Sequence, residues 1–206
     1  MFLEIGYDKS SVNGLLDRMK IAKGTFYHYF NSKEELLDEV INDFSKGIIA
    51  IMEAIAAEPC DALTKLNKML SMGRQYKVEN REMVKMMTAA MYRPENLALR
   101  QKLIAFTHRV SVPVIQKIIE QGDKEGVFKS VGPMAGSIIL TIGESLSDDT
   151  AAYMLKDNRT KEDRDRIDGL SDAYDRSVAR LLGVEEGKIT FMNREFLDAI
   201  FGGMTC

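Results

Sequence analysis

Apolar residues recur along this chain at spacings of three and four rather than in alternation, and the breaks between periodic stretches are short. Ser10 and Ser11 precede Val12, Leu15, Leu16 and Met19, and offer hydroxyls to amides that a helix start leaves without partners. The spacing predicts a short helix there. Lys20-Ile21 interrupts the pattern, and Ala22 to Phe30 predicts a second short helix with Phe26 and Phe30 on one face. Ser32-Lys33-Glu34-Glu35 reads as a capping box in which Ser32 and Glu35 satisfy each other's free amides. It opens a long helix whose positions Leu36, Leu37, Val40, Ile41, Phe44, Ile48, Ile51, Met52 and Ile55 keep helical period up to the Glu58-Pro59 stop.

Beyond Pro59, the breakers Arg93-Pro94, Gly122, Gly126, Gly132-Pro133, Asp157-Asn158, Gly183 and Gly187 divide the chain. Helices are expected near 61–78, 80–92, 95–121, 134–155, 163–182 and 190–201, packed as one body because no fixed repeat and no low-complexity linker intervenes. Four prolines, no tryptophan and few β-branched runs leave little material for a sheet. The expected class is all-α: a head over residues 1–45, joined by the long helix to a body over 46–206.

Composition narrows the function. The net charge of −3 argues against a protein that coats nucleic acid with its whole surface, since general phosphate affinity needs a broad basic face. Residues 1–33, however, hold Lys9, Arg18, Lys20, Lys23 and Lys33 against only Glu4, Asp8 and Asp17. Any DNA contact is therefore local to the head. Cys60 and Cys206 have no second Cys or His at ligand spacing, so neither a disulfide framework nor a metal site is expected. With no apolar run of membrane-spanning length and no signal peptide at its start, the chain is expected in the cytoplasm, without a membrane partner. His28 and His108 are the only histidines and stand far apart, and no Ser/His/Asp or Cys/His set clusters, so an enzyme is not expected, nor any cofactor.

The run Gly6-Tyr7-Asp8-Lys9-Ser10-Ser11-Val12, continuing through Leu15-Leu16 and Ile21 to Lys23-Gly24-Thr25-Phe26-Tyr27-His28-Tyr29-Phe30-Asn31-Ser32-Lys33-Glu34-Glu35-Leu36-Leu37, resembles the DNA-binding head of the TetR family over roughly residues 2 to 45. The resemblance implies a helix-turn-helix whose second helix enters a major groove about 12 Å wide. Gly24 lets that helix approach base edges, Thr25 offers a hydroxyl and a methyl, and Lys23 can donate to guanine or phosphate. Tyr27, His28 and Tyr29 are consecutive and fan around the helix; their family equivalents clamp phosphates. Lys33, the amides at the start of the following helix, and Ser11 complete the expected phosphate contacts.

Three positions depart from the family pattern. Met19-Lys20-Ile21 stands where Ala-Gly-Val is usual, so Lys20 is expected to adopt a positive φ that glycine accepts more easily. Ala22 replaces a serine and removes a capping hydroxyl from the recognition helix. The family's first helix precedes Gly6, where only Met1 to Ile5 stand, so that helix is expected to be truncated.

For the body the resemblance implies a ligand-binding core and a four-helix dimer interface. Met83, Met86, Met87 and Met91 share a helical stripe suited either to an adaptable apolar cavity or to plain packing. With Phe106 and His108, on a helix interrupted by Pro113, they are the candidate effector site for a largely apolar small molecule. Ile138, Ile142 and Leu146, with Leu170, Tyr174, Val178 and Leu181, form apolar stripes that the resemblance assigns to a homodimer interface, although burial within one chain would give the same pattern. The expected protein is a homodimeric repressor on a palindromic double-stranded DNA operator, released by a ligand. The alternative is a helical small-molecule-binding or interaction protein with a degenerate head.

Overall fold

In the computed structural model the described residues run from 5 to 201, less the side chains of Phe44, Ile48 and Phe201. Met1 to Glu4 of the expected first helix, the stripe positions Phe44 and Ile48, and Cys206 thus lie outside the described residues. All regular structure among the described residues is helical.

The head contains α1 (Val12–Met19) and α2 (Lys23–Tyr29). Ser11 caps α1 by accepting a hydrogen bond from the Gly14 amide at 3.1 Å. Ser10 does not cap: its hydroxyl is buried and donates to the Gly6 carbonyl at 2.6 Å, bracing the loop before the helix. Lys20 ends α1 in the left-handed region, φ 55 and ψ 40, as its place in a glycine-type turn predicts. Ala22 begins α2 without a side-chain cap.

The long helix α3 (Lys33–Ala57) starts at Ser32, whose hydroxyl accepts from the Glu35 amide at 3.0 Å. The expected capping box is only half formed. The Glu35 carboxylate reaches past Ser32 and accepts from the backbone amide and the side-chain amide of Asn31, at 2.6 and 2.8 Å. The helix stops at Glu58, in extended conformation, because Pro59 disfavours helical geometry in the residue before it.

The body is α4 (Ala62–Glu79), α5 (Arg81–Met91), a 3-10 turn at Pro94–Asn96, α6 (Leu97–Glu125), α7 (Ala135–Leu155), α8 (Lys161–Leu182) and α9 (Arg194–Phe201). Helix α6 runs unbroken through both Pro113 and Gly122, so neither residue is the break expected of it. A Cβ on Gly122 would lie 2.6 Å from Cε2 and 2.7 Å from Cγ of Phe128, a fully buried ring of the main core. The glycine makes room for that ring. The chain reverses after Glu125 instead, and the Gly122 carbonyl accepts from both Val127 and Phe128 amides at 3.0 Å.

Three buried clusters hold these helices. The main one joins Leu66 of α4, Ile118 and Ile119 of α6, Ile139 of α7 and Val178 and Leu182 of α8. A second packs α9 through Phe196, Leu197 and Ile200 against Tyr153 and Ile167. The third joins head to body: Tyr7, Leu37 and Ile41 meet Leu99 and Phe106 of α6. Burial of about five large side chains at that seam contributes on the order of 1.5–3 kcal/mol each, before the cost of ordering them. Arg164 and Lys65, which hydrophobic periodicity would leave outside, are buried with partners: Arg164 bonds Asp168 and Asp198 at 2.9 Å, and Lys65 donates to the Ala56 carbonyl and Gln121 at 2.7 Å.

Candidate nucleic-acid interface

The sequence of α2 alternates between anchoring and display. Phe26 is buried, and its ring meets Phe30 at 5.7 Å and Tyr27 edge-on at 5.3 Å. Leu15 and Leu16 of α1 are buried in turn. Lys23, Gly24, Thr25, Tyr27, His28 and Tyr29 all face outward. Tyr29 is 67% exposed, a large aromatic surface. A Cβ on Gly24 would meet nothing, so the N-terminal end of α2 is open for close approach. Lys23 arches over the Tyr27 ring with its ammonium 5.8 Å from the centroid, and His28 packs edge-on to Tyr29 at 4.9 Å. The Ser11 hydroxyl accepts from an amide and keeps its own O–H to donate outward.

Lys33 is placed differently from what its sequence position suggests. It is half-buried, with its ammonium 4.1 Å above the Tyr7 ring, and it donates to the carbonyls of Tyr7 and Ser10, both at 2.9 Å. Two of three donors are committed to the loop, so at most one can reach a phosphate. Lys33 thus nails the Gly6–Ser10 loop to the start of α3 and keeps one donor for the expected phosphate contact.

That loop is also tied to the body, which sequence alone did not reveal. Asn96, fully buried, accepts from the Tyr7 amide at 2.6 Å and donates to the Ala90 carbonyl at 2.7 Å. The Asp8 amide donates to the Glu95 carbonyl at 2.9 Å, and Lys9 pairs with the Glu95 carboxylate. A Cβ on Gly6, where φ is 91, would sit 2.5 Å from Glu95 Cβ, so both the turn and the close approach require glycine. The Glu34 carboxyl is held below its ordinary range first by its own backbone amide and then by the Tyr7 hydroxyl, which donates to it at 3.0 Å, while burial and the same carboxylate push the phenol up. Asn96 follows Arg93-Pro94, which read only as a breaker. An amide side chain at a proline-marked helix start was the one hint available.

An open cleft of about 400 Å³ is lined by Phe30 at the end of α2 and by Leu36, Glu39, Val40 and Asp43 of α3. Its two carboxylates repel phosphate, which leaves the α2 face as the side suited to DNA.

The expected effector residues are not gathered in one place. Met86 is 62% exposed and Met83 is also exposed, because α5 lies at the body's edge. Met91 and Phe106 belong to the head–body seam, and Met87 is half-buried between. His108 is turned toward α7, with Nε2 2.5 Å from Glu144 Oε1 but off the direction of a good hydrogen bond. The cleft beside α2 takes no lining from these six residues. The expected interface stripes divide similarly. Leu146, Tyr174 and Val178 are buried in the chain's own main core, with Ile142, Leu170 and Leu181 packed at its margin. Of the seven, Ile138 alone is exposed, at 39%, beside Met134 at 62%.

The family model for bacterial regulatory proteins of the tetR family matches residues 1–40. The chain is 33% identical over 69 residues to the HTH-type transcriptional repressor KstR2 of Mycolicibacterium smegmatis, covering 32% of this chain and 34% of that one. It is 27% identical over 126 residues to the fatty acid metabolism regulator protein of Bacillus subtilis, covering 61% and 64%. The chain thus spans about a third of the length of the KstR2 relatives it matches. A solved Clostridium perfringens structure, described as that of a fatty acid metabolism regulator, superposes with a TM-score of 0.53 at 21% identity over 88% of this chain and 92% of the other, a likeness of fold. The helix-turn-helix head of the chain thus matches the tetR family model over residues 1–40, and the all-helical architecture is similar to that of a solved regulator.

Proposed function

We propose that the protein is a DNA-binding transcriptional repressor that acts as a homodimer on a palindromic operator and is released by a small molecule held in its body. Residues 1–45 carry DNA recognition in this reading, and 46–206 carry sensing and assembly. One observation carries it: α2 leaves Lys23, Thr25, Tyr27, His28 and Tyr29 exposed around an open helix start, while Phe26 alone anchors it. Thr25 and Lys23 read bases; Tyr27, His28, Tyr29 and Ser11 meet phosphates. The names of the relatives, a repressor and regulators of fatty acid metabolism, support repression and a largely apolar effector. Assembly through α7 and α8 would use the exposed Ile138 and Met134, leaving the buried members of those stripes as core.

The test is binding to fragments selected from genomic DNA. Tyr29→Ala should weaken affinity for all sequences alike and leave the salt dependence as it is, because the phenol carries no charge, whereas Thr25→Ala should change which sequence is preferred. Both variants staying within about twofold of the parent would refute the assignment of α2. Ile138→Glu should yield folded monomer in sedimentation; an unchanged dimer would move the interface elsewhere.

A further inference from the structure

A second cleft, of about 90 Å³, lies in the body between one face of α4, the segment 190–193 and α9. Its α4 wall presents Met69, Leu70, Gly73, Arg74 and Lys77, positions that share one side of the helix, and Phe191, Met192 and Phe196 close it opposite. The far wall is held firmly. Arg74 donates to the Thr190 carbonyl and, at 3.2 Å, to the Phe191 carbonyl. The Phe191 amide donates to Asp175 at 2.8 Å, and the Ser171 hydroxyl to the Met192 carbonyl at 3.0 Å. The cleft is therefore preformed rather than opened by a ligand.

Its charge is the unusual feature. Arg74 uses one nitrogen on the two carbonyls and lies in the field of Asp175, whose carboxylate also accepts from the Phe191 amide. Lys77, an exposed residue on the cleft wall, has no carboxylate partner among the described residues. Two cations beside a thioether- and phenyl-lined slot make a site for an anion with an apolar tail.

We propose that this cleft binds a short-chain organic carboxylate, its head between Arg74 and Lys77 and its tail against Met69, Leu70, Met192 and Phe196. The proposal rests on the reading that the body senses a small molecule, and it supplies the site that the α5 methionine stripe does not. At about 90 Å³, less than the roughly 150 Å³ cavity that takes benzene, the partly open cleft takes the carboxylate and the first carbons, and the rest of the tail lies at its mouth.

Hexanoate, hexanol and sulfate are the probes, titrated by calorimetry against the full chain. Hexanoate should bind at least about tenfold tighter than hexanol, which lacks the charge, and than sulfate, which lacks the tail. Lys77→Gln keeps most of the stem and should weaken hexanoate roughly tenfold or more while leaving hexanol unchanged. Gly73→Leu fills the slot where an added Cβ meets nothing, and should abolish binding without unfolding the protein, as circular dichroism checks. Equal affinity for hexanoate and hexanol, equal affinity for sulfate, or hexanoate binding unaltered in both folded variants would overturn the proposal. Operator release is scored separately. Hexanoate bound through Lys77 with operator affinity unchanged keeps the cleft and refutes ligand release; release that survives Lys77→Gln and Gly73→Leu keeps ligand release and refutes the cleft.

Discussion

Replacing Lys33 by methionine separates a phosphate contact from a structural nail. The change keeps the aliphatic stem and removes the ammonium that donates to the Tyr7 and Ser10 carbonyls at 2.9 Å and covers the Tyr7 ring at 4.1 Å. A hydrogen bond from a charged group contributes roughly 1.5–3 kcal/mol and a cation–π contact about 0.5–1. Two effects reduce the sum: the Tyr7 carbonyl keeps the Ser10 amide at 3.1 Å as a second partner, and the freed side chain regains up to about 2 kcal/mol of rotamer entropy. The expected loss is about 2 kcal/mol, confined to the loop and α1. Amide exchange at residues 7–19 should therefore speed up by roughly thirtyfold, with α7 and α8 unaffected. On DNA the slope of log affinity against log salt should be smaller by at most about 1, because at most one donor is left for a phosphate. Unchanged protection combined with a slope smaller by about 1 would refute this reasoning and make Lys33 a phosphate ligand.

Three further outcomes are expected. Lys20→Gly relieves a left-handed residue costing about 1–2 kcal/mol and loses about 0.4–1 to the freer unfolded chain, so chemical denaturation should show a net gain of roughly 0.5–1 kcal/mol; a loss would mean the turn is not strained. Gly122→Ala drives a methyl into the Phe128 ring and should cost about 1–3 kcal/mol, lowering Tm by about 2–4 °C per kcal/mol; a neutral result would show that the ring moves freely. Asp175 is raised to about 6, first by burial and then by Asp172, against the Phe191 amide and Arg74 that lower it, so folding favours its protonated form. The penalty is full above pH 6 and disappears as pH falls toward the unfolded value of about 3.9. Because the group is only half-buried, solvent screening trims the effect, and Asp175→Asn should be more stable than the parent by about 1 kcal/mol at pH 7.5 and equal to it near pH 4. A pH-independent difference would show that packing, not charge, sets it.

What the sequence alone determined was local. Helix existence and ends followed from period and breakers: the spans expected at 61–78, 80–92, 134–155 and 163–182 match α4, α5, α7 and α8 to within two residues, and Lys20 took the positive φ its glycine-type position implied. These properties are set by neighbours a few residues apart, through caps, proline and side-chain periodicity, so they can be read along the chain. The head motif was legible for the same reason. Tertiary structure decided which side of each apolar stripe meets which partner. Val178 and Tyr174 went to the chain's own core, Met91 and Phe106 to the seam with the head, and Met86 to solvent. Periodicity marks a face as apolar without naming what covers it. Long-range polar ties were hidden as well: Asn96 reaching Tyr7, Lys33 reaching two carbonyls, and Arg74 and Lys77 meeting Phe191 and Met192 across more than a hundred residues. Such contacts depend on where the packed helices bring side chains, and packing is a property of the whole chain, whereas a helix end is a property of a few residues.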